Sequence, residues 1–229
     1  MNRYFYLLLI LLTLSCNNER VLQLPEIENA EITKVLDVSP AYIFYDETQP
    51  DSTLLNRKNL ISTTNWLVNV DKRLTLRQAI PHIKFLQDKK RNAEIHMNEN
   101  AKNYFTCNDT SIGNLGFVEF TDVDFITNIN SYENNQNIDN EIRTVYIHFF
   151  SNDVFSITEL FGGKQTKEET MALKPYFNKD YFDSYRENKN KITLSFDKRL
   201  SFQSYINLKH KVLMFTNEMS EISNDEIIY

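Results

Sequence analysis

Apolar and polar residues alternate in short runs along the first half of the chain, and polar or Pro-containing segments separate these runs. The runs that predict strands are rich in β-branched and aromatic residues, and they are Ile32–Val38, Tyr42–Tyr45, Trp66–Val70, Asn103–Thr106 and Leu115–Phe125. Between the third and fourth runs the period changes to 3.6, which predicts an amphipathic helix. Thr75 precedes that helix, and Gln78 stands three residues later, the spacing of a capping box.

The second half of the chain has a similar pattern. Arg143–Phe150 and Val154–Ile157 predict a hairpin, Lys191–Phe196 predicts a strand, and Ile227 and Ile228 predict a closing strand. Ser201 is expected to cap a helix whose apolar positions are Phe202, Tyr205, Ile206, Val212 and Leu213. Shorter helices are predicted at Lys167–Leu173 and Asp180–Glu187, separated by Pro175.

The two halves share a sequence element at the same place in the pattern. Asp71-Lys72-Arg73-Leu74 follows the strand Trp66–Val70, and Asp197-Lys198-Arg199-Leu200 follows the strand Lys191–Phe196. Each tetrapeptide precedes a hydroxyl residue and an amphipathic helix, which indicates an internal duplication. We therefore predict an α+β fold of two similar halves, each a mixed sheet with helices packed on one face. The predicted halves are residues 31–126 and 141–229, joined by an Asn-rich linker at 127–140.

The second copy of this element also resembles a known family. Ile192–Val212, a strand that ends in Asp197-Lys198 before a helix, is similar to the periplasmic domain of the ExbD/TolR biopolymer-transport proteins. The resemblance extends over residues 142–229 and more faintly over 32–125, and it implies a periplasmic binding module. Members of that family carry a membrane helix with a proton-coupling Asp. The N-terminal apolar run of this chain contains no Asp, so that function is not carried over.

The N-terminus predicts export and a lipid anchor. Arg3 gives a positive start, Tyr4–Leu12 forms an apolar run too short to span a bilayer, and Ser15 stands before Cys16. We interpret residues 1–15 as a signal peptide, Cys16 as the lipidation site and residues 16–30 as a polar tether. Several acyl chains on Cys16, such as palmitate, would hold the protein stably on a membrane. An ordinary cleaved signal or a short uncleaved anchor helix is the alternative.

Composition narrows the classes of partner. The chain has a net charge of −6, which argues against nucleic acid as a ligand. Removal of residues 1–15, which contain Arg3 and no acidic residue, would change this charge to −7. The four glycines do not have the spacing of a phosphate-binding loop, and the four histidines do not have that of a helical zinc site. We therefore expect no cofactor and no metal, and we expect His82 and His210 to lie on exposed helix faces.

Three functional hypotheses remain from the sequence. The first is a non-catalytic lipoprotein of the cell envelope, in the outer membrane or facing the periplasm, that binds an envelope protein or the cell wall. Its possible partner contacts are Asp71, Lys72, Arg73, Asp197, Lys198 and Arg199. The second is a lipid-anchored hydrolase with a site formed by Cys107, His96 and Asp109. The third is a surface glycan binder that uses exposed Tyr and Phe.

Overall fold

Twelve strands and two long helices follow one another along the part of the chain that the structure describes. In the computed structural model, the described residues are 21–92, 98–129, 141–178, 180, 190–215 and 220–229. The first six strands are β1 Glu26–Ile27, β2 Val38–Tyr45, β3 Thr53–Asn56, β4 Asn65–Val70, β5 Asn103–Asp109 and β6 Asn114–Glu119. The other six are β7 Asp124–Ile126, β8 Arg143–Phe149, β9 Val154–Phe161, β10 Lys164–Ala172, β11 Asn190–Phe196 and β12 Ser220–Ile228. The long helices are α1 Leu76–Arg91 and α2 Phe202–Phe215, and single helical turns occur at Pro50–Ser52 and Leu173–Tyr176.

The strands form two mixed six-stranded sheets with equivalent centres. In the first sheet β4 lies parallel to both β2 and β5, and β3 pairs antiparallel with β2. In the second sheet β11 lies parallel to both β8 and β12, and β9 pairs antiparallel with β8. The chain enters a long helix after β4 and after β11, so both halves have the order strand, hairpin partner, central strand, helix, strand. The α+β class and the two similar halves are therefore confirmed.

The edges of the sheets distinguish the two halves. β5 carries the antiparallel strand β6 and, near its end, the short parallel strand β1. β12 carries the parallel strand β7, so residues 124–126 belong to the second sheet although they precede the Asn-rich segment. β1 lies within the segment that the sequence predicted as a tether.

Several predicted elements have different boundaries or a different type. Lys167–Leu173 is not a helix, because Lys164–Ala172 forms the edge strand β10 against β9. Ile32–Val38 is not a continuous strand; Ile32 makes a single bridge to Phe117, and Asp37 has a positive φ of 50° that interrupts an extended backbone. The predicted strand Leu115–Phe125 is divided into β6 and β7. Of the predicted helix Asp180–Glu187, residues 181–187 lie outside the described part of the chain.

The two halves share one apolar core. Buried residues of both sheets and both helices belong to the same cluster, and α1 contacts α2. Phe105 of β5 stacks on Phe120 with ring centroids 3.8 Å apart, and it meets Phe202 and Tyr205 of α2 edge to face at 5.1 and 6.2 Å. These aromatic contacts make the first sheet and the second helix parts of a single packed interior.

Candidate functional site

Both Asp-Lys-Arg turns have the same internal geometry. In the first turn the Asp71 carboxylate accepts hydrogen bonds from Arg73 Nε at 2.8 Å and from its terminal guanidinium nitrogen at 2.7 Å. In the second turn Asp197 accepts the equivalent bonds from the guanidinium of Arg199. The main-chain N–H of each arginine also donates to its Asp, at 3.1 Å for Arg73 and 2.8 Å for Arg199. Each turn is thus closed by a bidentate ion pair between residues i and i+2.

The two turns differ in burial. The side chain of Asp71 is fully buried and that of Arg73 is 40% exposed, whereas the side chain of Arg199 is 83% exposed. Burial favours a raised pKa for Asp71, but the hydrogen bonds from Arg73 and from the Gln23 N–H outweigh it, so the pKa is lowered. The side-chain hydrogen bond from Arg199 is the main cause of the lowered pKa of Asp197. Both carboxylates are therefore ionised and already bonded within the chain.

The two turns also bind each other in a symmetric way. Thr75 and Ser201 form an antiparallel bridge, and the N–H of the next residue in each half crosses to the other half. Leu76 N–H donates to Leu200 O at 2.9 Å, and Phe202 N–H donates to Leu74 O at 2.7 Å. The first N–H groups of a helix lack partners inside that helix. Each helix here finds acceptors in the turn of the opposite half, so the shared tetrapeptides form a junction between the halves.

A second pair of crossing bonds extends this junction. Arg77 N–H donates to Lys198 O at 2.9 Å, and Gln203 N–H donates to Lys72 O at 3.2 Å. Arg77 and Gln203 are equivalent residues of α1 and α2, as are Lys72 and Lys198 in the two turns. The side chains of these four residues therefore line the two sides of the junction, and each side opens into a cleft.

The first cleft, called cleft A, lies beside Lys72 and α2. Its lining residues are Glu26, Ile27, Glu28, Asn29, Lys72, Thr110, Gln203, Asn207, His210, Lys211 and Met214, around a volume of about 560 Å³. The N-terminal segment of the chain occupies one wall. Gln23 O accepts from Lys72 N–H at 2.7 Å, and the carboxylate of Glu26 pairs with Lys72 Nζ at 2.7 Å. The side-chain amide of Gln203 bonds both the N–H and the O of Glu26 at 2.8 Å.

The equivalent cleft, called cleft B, lies beside Lys198 and α1. Its lining residues are Leu76, Arg77, Ile80, Pro81, Thr127, Asn128, Ile129, Lys198, Ile228 and Tyr229, around a volume of about 640 Å³. Buried apolar residues form the floor, and Arg77 and Lys198 stand exposed at the rim. The main-chain O of Tyr229 accepts from Lys198 N–H at 2.9 Å, which is the position that Gln23 takes in cleft A.

The two clefts differ in charge. Lys72 in cleft A is paired with Glu26, but among the described residues neither Lys198 nor Arg77 has a carboxylate side chain within salt-bridge distance. Cleft B therefore combines an apolar floor with two cations that form no salt bridge among the described residues, although the charge of Lys198 helps to lower the pKa of the adjacent Asp197. A carboxylate-bearing ligand is the chemical complement of such a site.

The predicted partner contacts divide accordingly. Asp71 and Asp197 are held by the neighbouring arginines, and Lys72 is held by Glu26. Arg73 stacks over the Tyr45 ring at 4.7 Å from its centroid. Arg73, Lys198 and Arg199 are exposed, and all six residues stay predicted contacts. Sequence reasoning missed Arg77, Glu26 and Gln203, because their roles depend on contacts between the two halves.

The hydrolase hypothesis concerned Cys107, His96 and Asp109. Cys107 is fully buried in β5, and burial raises its pKa to about 12, so its thiol stays protonated. The Asp109 carboxylate accepts hydrogen bonds from Ser111 Oγ at 2.6 Å and from Ala30 N–H at 2.7 Å. His96 lies outside the described residues. Cys107 is thus a buried, protonated thiol, and the Asp109 carboxylate is already bonded within the chain.

The histidines differ from the exposed positions predicted for them. His210 is 9% exposed, and its Nε2 lies 2.8 Å from Glu28 O. His82 is half-buried beside Thr53 Oγ1 at 3.1 Å, and burial lowers its pKa. Both helix faces were misread because each packs against a segment distant in sequence. Among the described residues, no group of three metal-ligating side chains occurs.

A buried ionic group lies between α2 and β12. Lys209 Nζ contacts the Glu226 carboxylate directly, and Tyr205 O–H donates to Glu226 at 2.7 Å. The side chains of Lys209 and Glu226 are 5% and 2% exposed. The pKa of the Tyr205 hydroxyl is raised well above its usual value, first by burial and then by the adjacent Glu226 carboxylate. These contacts connect α2 to β12.

Comparison with known proteins adds no family to this picture. No family model matches the sequence, and no curated protein or solved structure matches it. In the part of the chain that the structure describes, no helix has the length and apolarity needed to cross a bilayer. Cys16 and the predicted signal peptide lie outside that part.

Proposed function

We propose that this chain is a non-catalytic, lipid-anchored module of the cell envelope that binds an envelope protein or the cell wall. The anchor is Cys16 at the end of the export signal, and the resemblance of Ile192–Val212 to the ExbD/TolR periplasmic domain supports a role in binding. In this proposal the lipid replaces the membrane helix of that family, and the duplicated α+β body extends from the membrane.

The observation that carries the binding role is the difference between the two clefts. Lys72 is neutralised by the protein's own Glu26 at 2.7 Å, whereas the equivalent Lys198 stands with Arg77 over an apolar floor. Two cations at the mouth of a preformed cleft of about 640 Å³ are typical of a recognition site. We place the partner in cleft B for this reason.

We further propose that each long helix covers one face of its own sheet. The buried residues of α1, which are Leu76, Ala79, Ile80, Ile83 and Leu86, belong to the common core and support this arrangement. The outer edge strand β10 has mostly exposed side chains, several of them charged, and charge on an edge discourages pairing with other chains. This composition favours cleft B over sheet extension as the binding surface.

Photo-crosslinking in intact cells tests the proposed binding role. A photoreactive phenylalanine derivative would replace Pro81 at cleft B, and in a control it would replace the equivalent Asn207 at cleft A. Both positions are exposed, so the photoreactive group is equally accessible in the two variants. The variants differ in the cleft that the group lines. We expect adducts with an envelope component from position 81 and markedly fewer from position 207. Equal adducts at both positions, or none at position 81, would contradict binding at cleft B.

A further inference from the structure

We infer that cleft B docks an extended acidic peptide segment of a partner protein, with a carboxylate held between Arg77 and Lys198 and an adjacent apolar side chain on the cleft floor. This inference rests on the proposed binding function and specifies the chemistry of its ligand.

Cleft A shows how the protein accommodates such a segment. Residues Gln23–Ile27 pass beside the first turn, and Gln23 exchanges hydrogen bonds with it: Lys72 N–H donates to Gln23 O, and Gln23 N–H donates to Asp71. Glu26 then directs its carboxylate to Lys72, and the next residue, Ile27, is 4% exposed. In cleft A, then, an acidic residue that pairs with the turn lysine precedes an apolar residue that packs in the core beside β5. We take this arrangement as the template for a ligand of cleft B.

Cleft B presents a matching but more cationic surface. Lys198 takes the place of Lys72, and Arg77 takes the place of Gln203, the residue that bonds the main chain of Glu26. The hydrogen bond from Arg77 N–H to Lys198 O fixes the two cationic residues next to each other at the rim. An arginine binds carboxylates through a planar fork of donors, so the substitution of Gln203 by its equivalent Arg77 favours an anionic ligand.

The floor of cleft B suits the apolar part of the ligand. Leu76, Ile80 and Ile228 are at most 4% exposed, and the half-buried Tyr229 forms one wall. Tyr229 already occupies the main-chain position of Gln23, because its O accepts from Lys198 N–H. The docked segment would therefore contact the lysine and arginine side chains rather than the turn backbone, and only a few residues would fit.

Fluorescence anisotropy with a defined peptide tests this inference. The probe is a fluorescein-labelled peptide with the sequence of residues 21–29, and the receptor is the full-length chain in detergent. A second probe carries Glu26→Gln and Glu28→Gln. We expect Arg77→Met and Lys198→Met each to weaken binding of the acidic peptide about two- to fivefold, the upper part of the range for exposed charge pairs. Lys58→Met, at an exposed lysine outside the cleft, is the control and should leave the affinity unchanged.

Each alternative result has a distinct meaning. The inference would be overturned if the acidic and neutral peptides bound equally well, or if Arg77→Met and Lys198→Met left the affinity for the acidic peptide unchanged. Crosslinking at position 81 would still be separate evidence for binding at cleft B. Competition by acetate at the same concentration as the peptide would reduce the site to one for small anions and would also overturn the inference. Absence of peptide binding together with absence of crosslinks would reject the binding function as well.

Discussion

Replacement of the buried carboxylate in the first turn, Asp71→Asn, is expected to destabilise the protein by about 2–3 kcal/mol at pH 7, because hydrogen bonds to a charged partner contribute about 1.5–3 kcal/mol. Asp71 accepts four hydrogen bonds, two of them from the guanidinium of Arg73. In the variant an NH2 group replaces one carboxylate oxygen of residue 71. This group is a donor, and it would face N–H groups that now donate to Asp71. The loss stays below that of a fully buried ion pair because 40% of the Arg73 side chain is exposed and can regain water.

Urea unfolding followed by circular dichroism measures this effect. A loss of 2–3 kcal/mol corresponds to a midpoint shift of about 1 M, given usual slopes for proteins of this size. The equivalent substitution Asp197→Asn is the matched comparison, and its shift should be smaller because Arg199 is mostly in solvent. Equal shifts for the two variants would refute the account of their different burial.

The pH dependence of the same variant provides a second readout. The folded pKa of Asp71 is lowered, so the unfolded chain binds its proton more readily and the stabilisation is present above the unfolded pKa of about 3.9. It is lost as the pH falls through the folded value. The gap between wild type and Asp71→Asn should therefore close below about pH 4. A gap that stays constant from pH 7 to pH 3 would show that the loss at neutral pH does not come from the ionised carboxylate.

Three further outcomes follow from buried groups. Cys107, with its pKa raised to about 12, should resist alkylation by iodoacetamide at pH 8 in the folded protein and react fully in urea, and rapid native alkylation would contradict its burial. Lys209→Met should lower the free energy of unfolding by about 3–5 kcal/mol because it leaves Glu226 buried without its cation, and the double variant with Glu226→Gln should recover part of the loss. Gly116→Ala should cost about 1–3 kcal/mol, since its Cβ would lie 2.6 Å from that of Ala30, and an unchanged melting temperature would argue against that contact.

The starts of the two long helices were predictable from sequence because short-range interactions determine them. The helix that follows Thr75 begins where the capping box predicts, with the side-chain oxygen of Gln78 accepting from Thr75 N–H at 2.9 Å. Ser201 likewise accepts from Ser204 N–H at 3.1 Å at the start of α2. The similarity of the two halves was also visible, because the shared tetrapeptide lies at the same place in both patterns.

Elements that depend on distant partners were not predictable in this way. Residues 164–172 contain Lys, Gln, Glu, Met and Ala, which favour helices, yet pairing with β9 makes them a strand. The two-residue strand β1 exists only because β5 lies beside it. Cleft B unites α1, the second turn and the end of β12, and no local pattern relates Arg77 to Lys198.

The lipid anchor at Cys16 is the premise on which the proposed function depends, and metabolic labelling tests it most directly. Cells that express the chain would receive a clickable palmitate analogue, and the labelled protein would be compared with its Cys16→Ser variant. We expect label and membrane association in the wild type and neither in the variant, with Cys107→Ser retaining both. Label that persists in Cys16→Ser would contradict the anchor and the envelope function built on it.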